Sequence, residues 1–77
     1  MKRKGVIEKI VNERIVVVKL EGLINLGSTV LDNDKRPVGN VVDIIGPVKE
    51  PYAVILLRKR IKSLKYGDIV FFKPGKR

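Results

Sequence analysis

No cysteine and no histidine occurs in the 77 residues. Together those absences exclude disulfide frameworks, zinc ribbons, thiol nucleophiles and imidazole acid–base chemistry. Tryptophan is missing too, and the aromatics stop at Tyr52, Tyr66, Phe71 and Phe72. Proteins that read single-stranded nucleic acid usually offer several stacking platforms, so this supply is thin. No glycine-rich phosphate loop is present. No apolar run approaches the roughly 18 residues that a membrane-spanning helix needs, and Met1-Lys2-Arg3-Lys4 leads into no signal-peptide core. The expectation is a cytoplasmic, prokaryotic protein with no membrane partner, no small-molecule substrate, no metal and no cofactor.

Acids are also scarce, with 8 against 17 basic residues and a net charge of +9. Eleven of the basic residues stand in the first four and last twenty positions, among them Lys2, Arg3, Lys4, Arg58, Lys59, Arg60, Lys62 and Lys65, against Asp68 alone. Residues 5–57 are close to neutral. Clustering of this kind suits a polyanion, and those eight residues are the candidate RNA contacts. A solvated surface on a lysine-rich, heat-adapted protein would look the same. A chain this short makes one domain, with a basic extension at 1–4, a core domain at 5–73 and a short tail at 74–77.

What is plentiful is β-branched sequence punctuated by turns. Gly5 to Val11 and Arg14 to Leu20 read as a hairpin joined by Asn12-Glu13, because Ile15-Val16-Val17-Val18 strongly prefers extended backbone. Side chains alternate along a strand, so four apolar residues in a row require a second apolar surface on the far side, supplied by a partner or by neighbouring loops. Leu23 to Leu26 should cover one end of the fold. A short strand at Thr29 to Asp32 follows, and Asn33-Asp34-Lys35-Arg36-Pro37 makes a polar reversal. Asp32, Asp34 and Asp43 lack any neighbour that would make them an acid–base pair, so no catalytic residue and no enzyme is expected. Tyr52 to Leu57 and Ile69 to Lys73 are the last strands, separated by a basic connection with Ile61 and Leu64 as apolar tethers. Six short strands and no long helix predict an all-β fold, a small closed antiparallel six-stranded β-barrel, since closure removes exposed edges.

The chain centres on Val38 to Leu57. Val38, Val41, Val42 and Ile45 have helical spacing, but a β-branched run with an internal Gly39 that ends at Gly46-Pro47 is a poor helix. It reads instead as a bent strand with a bulge near Gly39 to Val42. Gly46, Pro47 and Pro51 then shape a rigid turn with Tyr52 at its exit.

Val38-Gly39-Asn40-Val41-Val42-Asp43-Ile44-Ile45 followed by Gly46-Pro47-Val48-Lys49-Glu50-Pro51-Tyr52 resembles the signature of the Gar/Naf family of H/ACA ribonucleoprotein proteins. The family pattern is roughly an apolar residue, Gly, two residues leading to an acidic one, an aromatic or aliphatic residue, then Gly-Pro-Val-x-x-Pro-Tyr. The resemblance implies a six-stranded barrel that docks on the dyskerin-family pseudouridine synthase, assists substrate loading and product release, and touches guide and substrate RNA weakly or indirectly. Family members in eukaryotes carry glycine-arginine-rich tails; their absence here fits an archaeal form. The related assembly factors of the same family share the barrel but are generally longer.

An apolar interface draws its energy from a few rigid anchors, which makes Val41, Ile45, Gly46, Pro47, Val48, Pro51 and Tyr52 the candidate partner contacts. The competing reading of those residues is a barrel corner with Tyr52 packed inward. The competing function is a direct RNA-binding barrel of the ribosomal or translation-factor kind.

Overall fold

The computed structural model describes residues 3–22, 24–47, 49–58 and 64–73. Six strands make up the regular structure: β1 (Arg3–Ile10), β2 (Ile15–Leu20), β3 (Thr29–Leu31), β4 (Pro37–Ile45), β5 (Tyr52–Leu57) and β6 (Ile69–Lys73). No helix occurs among the described residues. The strands close into a barrel in the order β1-β2-β5-β4-β3-β6, with every neighbouring pair antiparallel. The expected all-β closed barrel is therefore the fold, and each strand lies within two residues of its expected limits.

Alternation fills the inside. Ile7, Val18, Ala53 and Ile55 are fully enclosed, and Val16, Leu20, Ile24, Val30, Val38, Val41, Leu57, Val70 and Phe72 complete the core. Of the two adjacent phenylalanines, Phe72 is the inward one. Of residues 23–26, Ile24 plugs the barrel end while Leu26 stands 63% exposed; Leu23 lies outside the described residues. Leu64 does pack against the core, and its companion tether Ile61 lies outside the described residues, as does the tail at 74–77.

The β1–β2 turn is longer than the expected two residues. Val11 and Asn12 both donate their amides to the Ile15 carbonyl, and the Asn12 side-chain oxygen accepts from the amides of Arg14 (2.8 Å) and Ile15 (3.0 Å). The asparagine thus closes a wider loop by standing in for backbone acceptors. The β3–β4 reversal works in the same way. Asp32 Oδ1 accepts from the amides of Asp34 (2.8 Å) and Arg36 (2.9 Å), while Lys35 takes a positive φ of 65°.

β4 is bent by two irregularities. Val30 pairs with Gly39 but Leu31 with Pro37, which passes over Val38. Against β5, Val41 pairs with Ile55 and Asp43 with Val54, which passes over Val42. Each extra residue breaks the alternation, so Val38 and Gly39 both face in, and Val42 and Asp43 both face out. The expected bulge falls at Val42.

Candidate functional site

β1 starts and β6 finishes at the barrel end that carries residues 46–51 and the β2–β3 loop. This is the upper end. The β1–β2 turn, the β3–β4 turn, the end of β5 and the start of β6 lie at the lower end.

The signature turn divides its residues between shaping the barrel and facing outward. Gly46 has a φ of +92°, and a Cβ there would stand 3.2 Å from both the Tyr52 ring and the Glu50 carbonyl oxygen. The half-buried Tyr52 ring therefore lies close over the glycine, where a side chain would be crowded as well as strained by the positive φ. Glu50 donates its amide to the Pro47 carbonyl (3.1 Å), and Leu20 donates to the Pro51 carbonyl (3.0 Å), tying the turn to the end of β2. Pro51 is buried. Pro51 and Gly46 thus hold the corner, whereas Ile45, Pro47 and one side of Tyr52 remain accessible. Val48 lies outside the described residues.

Val41 requires a correction. Expected as a contact residue, it is 2% exposed and belongs to the core. The bulge at the next residue is the reason, because it turns Val42 outward in its place. Val42 is 49% exposed, Ile45 45% and Leu56 43%. They belong to a larger surface that the strand register assembles. Ile15 stands opposite Leu56, Val17 opposite Val54, and Tyr52 opposite Ile45. All of these point away from the core, and they form one apolar face across β2, β5 and β4. Ile15 and Val17, the outward members of the apolar run at 15–18, lie on this face and are partly covered there. Sequence reasoning placed Ile15 and Val17 near such a face but missed Val54 and Leu56, although alternation from the inward Ala53 and Ile55 would have found both. Lys9, Lys19, Asn40 and Asp43 stand around its margin by register.

The candidate RNA contacts do not form one patch. Arg3 and Lys4 begin β1 at the upper end, whereas Arg58 and Lys65 stand at the lower end. Five residues of β6 separate the two ends, about 13 Å of strand. Lys2, Lys59, Arg60 and Lys62 lie outside the described residues.

A cleft at the lower end is lined by Asp32, Asn33, Asp34, Leu64, Gly67, Asp68 and Ile69. Two of its three carboxylates accept backbone amides: Asp32 closes the β3–β4 turn and Asp68 Oδ2 accepts the Lys65 amide at 2.9 Å. Asp43, on the outer side of β4, accepts the amide of Ile44. No grouping of three or more potential metal ligands occurs among the described residues.

Comparison with known proteins agrees with the signature. An uncharacterized protein of Methanothermobacter thermautotrophicus is 30% identical over 70 residues, which span 91% of this chain and 76% of that protein. The family model described as the Gar1/Naf1 RNA binding region matches residues 1–76. The chain therefore belongs to the Gar1/Naf1 RNA-binding family, which is linked to H/ACA particles.

Proposed function

We propose that the chain is a non-catalytic subunit of an archaeal H/ACA guide-RNA pseudouridylation particle. It docks on the pseudouridine synthase through the outer face of β2, β5 and β4, and assists substrate loading and product release there. The observation that carries this reading is the contiguous apolar face, in which the Ile15–Leu56, Val17–Val54 and Ile45–Tyr52 pairs stand side by side. Apolar residues scattered singly over a surface need no explanation, but a contiguous set is a feature of protein contact sites. A closed barrel offers no free edge for a partner strand, so a partner must be met by side chains on a face or at a loop. The face is also rigid, being built on paired strands rather than on loops, so little conformational freedom is lost on docking.

Reconstitution tests the proposal. The chain alone should turn over no uridine. Added to a synthase, guide RNA and the remaining core proteins, it should raise multiple-turnover pseudouridine formation more than single-turnover formation, because product release is the step assisted. Equal rates with and without the chain, in a particle that retains it, would refute the assisting role. Presence in an early assembly complex but not in the active particle would assign it to assembly instead.

A further inference from the structure

The apolar face is centred on β5. In the closed order β1-β2-β5-β4-β3-β6, the strand diametrically opposite β5 is β6. The outward residues of β6 are Ile69, Phe71 and Lys73, alternating with the buried Val70 and Phe72. Phe71 is thus a partly buried aromatic on the outside of the barrel. Register places Lys4 directly beside it on β1 and Leu31 directly beside it on β3, with Lys73 two residues further along its own strand and Thr29 opposite Lys73. The same antiparallel pairing brings the start of β1 against the end of β6. Two basic regions almost seventy residues apart in sequence therefore meet beside Phe71.

We propose that the outer face of β1, β6 and β3 binds single-stranded RNA, with one base stacked on Phe71 and flanking phosphates held by Lys4 and Lys73. Every base has a π-face, so an aromatic ring framed by cations accepts any of them. Stacking needs an unpaired, splayed base, which selects single strands over duplex. A protein partner is the weaker reading for this face, because lysines are depleted at the centres of protein interfaces. The lower boundary of the face is acidic, with Asp32 after Leu31 and Asp68 before Ile69. Phosphates are repelled there, so the strand tracks the upper half of the face. This site lies on the far side of the barrel from the synthase-docking face and does not depend on it; with both occupied, the barrel bridges protein and RNA.

The test uses the full chain and a labelled 12-nucleotide oligoadenylate, read by fluorescence anisotropy at low salt. Phe71→Leu, which keeps an apolar side chain but removes the ring, should weaken binding roughly tenfold, within the range that a lost stacking platform typically costs. Phe71→Tyr should bind as the parent does. Lys4→Gln with Lys73→Gln should reduce the slope of log affinity against log salt by about 1.4, the value for two phosphates on a single strand. A blunt duplex of the same length should bind more weakly than the single strand. Ultraviolet crosslinking of a 5-iodouridine oligonucleotide to the parent chain should mark Phe71, a readout independent of how any variant folds. The proposal is overturned if folded Phe71→Leu binds within twofold of the parent, if Lys65→Gln lowers affinity as much as Lys4→Gln, if duplex binds equally well, or if the crosslink falls elsewhere. Synthase capture by Phe71→Leu should be unchanged, so failure here and failure of the docking proposal are distinguishable.

Discussion

Replacing Gly39 by alanine tests how tightly the bent strand β4 is held against β5. A Cβ at this position would run into the Leu56 carbonyl oxygen and stand 3.0 Å from the Leu57 Cα and 3.1 Å from the Leu56 carbonyl carbon. All three are backbone atoms, so no rotamer change relieves the contact. Nor can β5 simply retreat. Leu56 is paired to Ile15 on its other side, Leu57 donates to the Arg14 carbonyl at 2.7 Å, and Arg58 donates to the Val38 carbonyl at 2.8 Å. β4 is held equally from behind, since Gly39 pairs with Val30. Overpacking of this kind costs about 1–3 kcal/mol. At about 4–8 °C per kcal/mol for a domain of this size, the melting temperature should fall by roughly 5–20 °C.

Thermal unfolding followed by circular dichroism measures the shift, and Gly39→Val should lower the melting temperature further. Gly27 is the control, with a φ of +84° and nothing within 4 Å of its would-be Cβ. There the cost is conformational, and Gly27→Asn should be milder than Gly27→Ala because asparagine tolerates the left-handed region. A Gly39→Ala protein melting within about 2 °C of the parent would refute the steric reasoning, given the slope expected for such a domain.

Two further outcomes concern the core and the turns. Ile55 is fully enclosed at the centre of the barrel, so Ile55→Ala should cost about 2–5 kcal/mol; urea unfolding should show a lowered midpoint, and an unchanged midpoint would mean that the core is not closed around it. Asp32→Ala removes the acceptor of two backbone amides and should cost on the order of 1 kcal/mol, whereas Asp32→Asn, which keeps a side-chain carbonyl, should recover most of the loss; equal losses in the two variants would show that charge rather than turn geometry is at work.

The strand limits were legible because turn formers bound them. Asn12 closes one reversal, Asp32 the next, and Gly46 with Pro47 and Pro51 a third. β4 was the hard case, and its structure explains why. Val38, Val41, Val42 and Ile45 are spaced like a helix because bulged residues at Val38 and Val42 each shift the alternation by one. Composition identified the strand, but only the pairing register shows that Val41 turns in and Val42 out. The same limit applied to the site. Adjacent Phe71 and Phe72 must point to opposite sides of a strand, yet which one points out, and that it lies beside Lys4, depends on how the ring of strands closes. The basic residues looked like one cluster at each end of the sequence; topology joins the start of β1 to the end of β6 and leaves Arg58 and Lys65 at the other end of the barrel.

The most direct test of the docking claim is the affinity of the synthase for a chain carrying Val54→Lys and Leu56→Lys, measured by titration calorimetry on samples whose melting temperatures are also determined. Both positions face outward, and register sets Val54 opposite Asp43 and Leu56 opposite Asn40, so neither lysine meets a like charge across the β4–β5 pair and the barrel should stay folded. Truncated anchors typically cost about 1–4 kcal/mol each, so docking through this face predicts affinity lower by at least about tenfold with a melting temperature close to that of the parent. Parental affinity from the folded double variant would contradict it.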